Sequence, residues 1–137
     1  MSLNPADVDA LTEKIIGCAI EVHRTLGPGL LESVYRECLI LELEKRGLRV
    51  EREKHVPLEY KGKRIPSRLK LDLLVEGTVV VELKAVDRSH PAHHAQVITY
   101  LKLTGCPAGL LLNFNATTLK AGLKRLDHPD LYQKKSS

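Results

Sequence analysis

The stretch LKLDLLVEGTVVVELKAV, residues 69–86, holds two apolar runs joined around Glu76-Gly77-Thr78. That pattern predicts a tight β-hairpin. Side chains alternate along a strand, so Glu82 and Lys84 point one way and Val81, Leu83 and Ala85 the other. Val79, Val80 and Val81 lead in without alternation, which predicts a strand covered on both faces. A turn centred on Gly77 sets Asp72 opposite Glu82. Lys70, Asp72 and Leu74 then share a face with Lys84, Glu82 and Val80. Leu71, Leu73, Val75, Val81 and Leu83 cover the opposite face. A shift of one residue in the turn would offset this pairing.

Two carboxylates and a lysine therefore meet in an otherwise apolar hairpin. Burying a charge without a partner is costly, and like charges held close tend to keep one carboxyl protonated unless a cation intervenes. Two readings follow. In one, Lys84 neutralises Asp72 and Glu82 as a buried ionic triad. In the other, a hard divalent ion such as Mg²⁺ or Mn²⁺ sits on the carboxylates, and Lys84 orients water and steadies a phosphate.

Upstream of the hairpin, NPADVDALTEKIIGCAIEVHRTLG reads as a helix capped by Asn4, with Pro5 in its first turn and Gly27 as its stop. Val8, Leu11, Ile15, Cys18, Ala19, Val22 and Leu26 form its core stripe. A second helix, LLESVYRECLILELEKRG, carries one stripe through Leu31, Val34, Cys38 and Leu41 and a neighbouring one through Glu32, Tyr35, Leu39 and Glu42. LRVEREK and HVPLEYKGKRI read as two short strands turning at Lys61-Gly62-Lys63. Downstream, SHPAHHAQVITYLKLTG is a third helix, AGLLLNF a buried strand, TTLKAGLKRL a short closing helix and HPDLYQKKSS a loose tail. The order predicts an α/β sandwich around one mixed sheet, a single domain over residues 1–126 followed by a tail at 127–137.

With 137 residues, 43% hydrophobic and 28% charged, the chain suits one globular domain with a proper core. No apolar run approaches the roughly 18–20 residues of a membrane span, and the N-terminus lacks signal-peptide character. Cys18, Cys38 and Cys106 are odd in number and lack C-x-x-C spacing, which predicts reduced thiols and a cytoplasmic protein. A net charge of +4 permits a polyanionic partner. One Phe, four Tyr and no Trp argue against a base-stacking platform.

On the third helix, His93, Gln96 and Tyr100 share a face, so Gln96 and Tyr100 could reach a phosphate beside the hairpin. The bland alternative is an exposed polar face with a half-buried tyrosine. His93 is expected to touch substrate or order the site. His90 and His94 stand four apart, but no third ligand follows at zinc spacing. His23 reads as a structural histidine. Lys61, Lys63, Arg64, Arg68 and Lys70 form a basic run that could track phosphates, with Arg68 and Lys70 the candidate substrate contacts.

These residues together resemble the prokaryotic GxxExxY family within the PD-(D/E)XK nuclease superfamily. The naming motif stands as GLLESVY, Gly29 to Tyr35. Asp72 followed by ELK (Glu82, Leu83, Lys84) is similar to the superfamily's sheet motif, and Gln96 with Tyr100 to the helical Q-x-x-x-Y of its RecB-like branch. YLKLTG and GLLLNF extend the likeness, which runs from about Val8 to Leu126. The resemblance implies a restriction-endonuclease-like fold and a metal held by Asp72, Glu82 and the Leu83 carbonyl, helped by Glu32. Lys84 takes the catalytic lysine's role. Gln96 and Tyr100 support the phosphate. Where the family usually has Arg, two residues before the Asp, this chain has Lys70, a weaker grip than a bidentate fork.

The expected function is therefore metal-dependent hydrolysis of nucleic-acid phosphodiester bonds, DNA first. The alternative is a nucleic-acid- or protein-binding module that keeps the fold without turnover. Activity that needs an oligomer or a protein partner is a further expectation for so small a domain.

Overall fold

The computed structural model describes residues 4–131. Helix α1 (Pro5–Leu26) starts where Asn4 Oδ1 accepts a hydrogen bond from the Asp7 amide at 2.9 Å, and it stops at Gly27. Val8, Ile15, Cys18, Ala19 and Val22 are buried as predicted, while Leu26 at the helix end stays exposed. In α2 (Glu32–Lys45) the stripe through Tyr35 and Leu39 is the core face. Leu31, Val34 and Leu41 of the other stripe lie at the surface.

The remaining elements are β1 (Val50–His55), β2 (Leu58–Tyr60), β3 (Lys63–Ile65), β4 (Lys70–Val75), β5 (Val79–Lys84), α3 (Pro91–Thr104), β6 (Ala108–Asn113), α4 (Leu119–Gly122) and β7 (Leu123–Asp127). A five-stranded sheet runs in the order β1-β4-β5-β6-β7, and β2 with β3 makes a separate ribbon. Only β5 and β6 are parallel in the sheet, so the chain must cross over between them, and α3 is that crossover. The three-residue link of β4 to β5 pairs Val75 with Val79, Leu74 with Val80 and Leu73 with Val81, a register centred on Gly77 as predicted. Glu76 and Gly77 carry the positive φ values, 53° and 61°, that close this turn.

Two apolar clusters sandwich the sheet. One joins α1 and α2 to Leu73, Val75, Val79, Val81, Leu83, Leu110 and Leu112. The other joins α3 to Leu71, Leu74, Val80 and Leu111. Each fully buried Leu or Val contributes about 1.5–3 kcal/mol relative to exposure, so both layers are needed. Helix α3 reaches the sheet closely because Gly109 lacks a side chain: a Cβ there would lie 2.7 Å from Val97 Cγ1.

Four expectations change. Leu71 belongs to the α3-side cluster, not to the face of Leu73 and Val75, so the alternation of β4 breaks at Asp72. Its β1 neighbour Glu53 has a φ of 48°, and the Glu53–Asp72 pair is missing from a β1–β4 register that is otherwise unbroken from Val50↔Val75 to His55↔Lys70. The segment from Val50 to Ile65 forms three short strands rather than two. The closing helix is a single turn, after which Leu123–Asp127 becomes a strand that pairs along the free edge of β6. The start of the expected tail is held: His128 is buried and its amide donates to the Pro107 carbonyl at 2.9 Å. The rest of that tail, residues 132–137, lies outside the described residues.

Candidate active site

The β4–β5 ladder stops at Leu73↔Val81. Continued regularly, Leu83 would next exchange backbone bonds with Leu71. Instead the Asp72 amide donates to Glu82 Oε1 at 3.0 Å, and the Leu83 amide donates to Asp72 Oδ2 at 2.9 Å. Side-chain carboxylates thus replace backbone carbonyls, and the strands open where the acids sit. In extended backbone a residue's N–H and C=O point to the same side, so the Leu83 carbonyl turns towards Asp72 as well.

Glu82 is 3% exposed, and burial first, then the charge of Asp72, pushes its carboxyl up to about 8. Lys84 pulls in the opposite direction. Glu32, the first residue of α2, is half-buried; desolvation first and Asp72 second raise its pKa, opposed by Lys84 and Arg36. Glu32, Asp72, Glu82 and Lys84 therefore form one electrostatic group. Like carboxyls this close hold on to protons unless more positive charge arrives.

Helix α3 closes the other side. Gln96 Nε2 donates to the Tyr100 hydroxyl at 3.3 Å. Burial first, then Glu82 and Asp72, raises the Tyr100 pKa, so the phenol keeps its proton near neutrality. His93 has its pKa lowered by desolvation and by the positive field of Lys84, His90 and His94. His90 and His93 cap α3: His90 Nδ1 accepts from the Ala92 amide at 3.0 Å, and the His90 amide donates to His93 Nδ1 at 3.3 Å. His23 is structural, with Nε2 bonded to the Ala116 carbonyl at 2.8 Å. Arg68 and Lys70 are exposed, and neither joins the ion pairs among the described residues.

Three supports were not legible in the sequence. Arg36, one turn beyond Glu32, places its guanidinium 3.7 Å from Asp72 Oδ1. The only signal was its spacing on the helix. Tyr35 is fully buried, stacks on Phe114 with centroids 4.7 Å apart, and donates from its hydroxyl to the Gly27 carbonyl at 2.6 Å while accepting from the Leu30 amide at 3.0 Å. It pins the turn that presents Glu32. Beyond Lys84, buried Asn113 grips Val86 through both its amide and its carbonyl, at 3.1 and 2.8 Å. Asn115 bridges Asp87, at 3.2 Å, and the Gly29 amide, at 3.1 Å. These asparagines tie the loop after β5 to the turn before α2.

The donors suit a hard divalent cation: carboxylate oxygens crowded at a buried spot where negative charge is resisted. Among the described residues no group of three or more His, Cys, Asp or Glu side chains is placed to hold a metal ion. Hard ions of the Mg²⁺ type bind through one or two carboxylates and keep other positions for water and phosphate, and Asp72 with Glu82 fits that pattern.

A sheet opened at paired acids, with a lysine two residues on, defines a class. The model of the PD-(D/E)XK nuclease superfamily matches residues 9–126, and the chain belongs to that superfamily. Its five-stranded mixed sheet between helices is the restriction-endonuclease-like fold. No curated protein and no solved structure shows significant similarity to the chain. No helix of the described residues is long and apolar enough to cross a membrane.

Proposed function

We propose that the protein is a divalent-metal-dependent nuclease of the GxxExxY type, cutting phosphodiester bonds in nucleic acid, with DNA the first substrate to test. The observation that carries this reading is the pair of carboxylates, Asp72 and Glu82, that replaces the backbone ladder beside Lys84. Residues 1–126 are the proposed catalytic domain.

In this reading Asp72, Glu82 and the Leu83 carbonyl hold Mg²⁺ or Mn²⁺, with Glu32 assisting. The cation supplies Lewis-acid stabilisation of charge developing on the phosphate. Lys84 offsets the charge of Glu32 and Glu82 and orients the attacking water. Glu32, with its raised pKa, is suited to take that water's proton. Tyr100 stays protonated and, steadied by Gln96, donates to a non-bridging phosphate oxygen. His93, Arg68 and Lys70 contact substrate outside this centre.

The test is cleavage of single-stranded, duplex and branched DNA in Mn²⁺ and Mg²⁺, beside Asp72→Ala and Lys84→Ala. Metal-dependent cutting that both substitutions abolish supports the reading. Equal cutting by folded variants sinks it.

A further inference from the structure

The β2–β3 ribbon takes no part in the site just described. It is rooted beside it, however. The Val56 amide donates to the Leu69 carbonyl at 2.9 Å, and buried Val56 packs in the cluster that holds Leu71 and Tyr100. The ribbon therefore springs from the strand that carries Asp72 and leans on the helix that carries Tyr100. Its tip is tight: Lys61 and Gly62 have φ values of 48° and 83°, the positive pair of a two-residue hairpin turn.

Alternation sorts the ribbon's faces. Glu59 pairs with Arg64, and both line a cleft against Lys102 and Leu103 of α3. Tyr60 and Lys63, paired to each other, fall on the opposite face together with Ile65. Tyr60 is 63% exposed there, with Lys61 Nζ over one face of its ring at 5.4 Å from the centroid, which leaves the other face for a base. Lys61, Lys63 and Arg68 are exposed and form no ion pair among the described residues. Two-stranded ribbons are marginal in water, and exposed aromatic surface does not stabilise one. An aromatic ring among cations that have no carboxylate partner instead matches unpaired nucleotides, whose bases stack on a ring while their phosphates meet positive charge. Duplex DNA keeps its base faces stacked away from such a ring.

We infer that the ribbon is a nucleic-acid-binding wing that takes an unpaired stretch next to the cleavage site, one base on Tyr60 and the flanking phosphates on Lys61, Lys63 and Arg68. The inference deepens the nuclease reading and rests on it only for the substrate's place; binding needs no turnover.

The experiment is fluorescence anisotropy of the full chain in EDTA, with a short labelled single strand of mixed sequence and the matching blunt duplex. The single strand binds more tightly than the duplex. Tyr60→Ala weakens single-strand binding about tenfold, within the range for a lost stacked base, and leaves duplex binding unchanged. Tyr60→Phe keeps the affinity. Replacing Lys61, Lys63 and Arg68 together by Ala weakens binding and flattens its salt dependence, by about 0.7 in logarithmic slope per lost phosphate contact. Thermal melts show that the exposed substitutions leave the fold intact. Variants that bind the single strand as the wild type does overturn the wing, and so does a Tyr60→Ala loss of equal size on the duplex. A wild type that binds as described yet cuts nothing in Mn²⁺ ends the nuclease reading while the wing stands. Cutting that persists beside unaltered binding in the ribbon variants ends the wing alone.

Discussion

Glu82 carries the sharpest electrostatic conflict in the molecule. Without metal its folded-state pKa is about 8 against an ordinary 4.5, so the native state holds this proton more tightly than the unfolded chain does. Stability from Glu82 is therefore complete below pH 4.5 and is lost as pH rises through 8. Metal-free protein should melt at falling temperature across that window. Glu82→Gln should flatten the fall and melt higher than wild type in mildly alkaline buffer. Mg²⁺ or Mn²⁺ added there should raise the wild-type melting point and leave that of Glu82→Gln unchanged. For Lys84→Ala we expect kcat to drop by about 10²–10⁴-fold, the usual range for a lost proton-handling or charge-positioning group, with the melting point nearly kept. The facing of Asp72 and Glu82 could be read in advance because a strand's period is two and Gly77 centres the turn. Arg36 could not, since its approach to Asp72 depends on how α2 lies on the sheet.

At the level of elements, the turn between α1 and α2 is held by the Tyr35 hydroxyl together with Asn115. Tyr35→Phe strands the Leu30 amide and the Gly27 carbonyl, and denaturant titration should show a loss of about 1–3 kcal/mol. Because Glu32 opens the same helix, cleavage in that variant should fall further than the loss of folded protein explains. Gly109→Ala tests the other layer: the added methyl meets Val97 at 2.7 Å and should cost about 1–3 kcal/mol through overpacking. The limits of α1 were legible because caps and stops are local chemistry. The break in alternation that turns Leu71 to the α3 side was not, since it falls where side-chain carboxylates take the place of a backbone ladder. Nor was β7, whose LKRLD suits a helix end as well as a strand until the open edge of β6 decides.

For the whole molecule, that edge matters. A chain cut after Gly122 would leave β6 with an unpaired flank of buried Leu residues, and light scattering should report more self-association than for the full chain. The layered α/β plan was readable from the order of periodic segments, because each needs a partner for its apolar face. The convergence of Glu32, Asp72, Lys84 and Tyr100 was readable only in part. Their motifs are separated along the chain, and it takes the α2 and α3 packing, with the Asn113 and Asn115 ties, to bring them to one end of the sheet.

The exchange of carbonyls for carboxylates at Asp72 and Leu83 has a spectroscopic consequence. Two backbone amides hang on oxygens that can be protonated or claimed by a cation. Their ¹⁵N–¹H resonances should therefore move as the centre changes charge, and their hydrogen exchange should quicken whenever an incoming ion takes the oxygen away. The hairpin contains its own pair of reporters, which would register an ion on the carboxylates as a local unfastening of strand from strand.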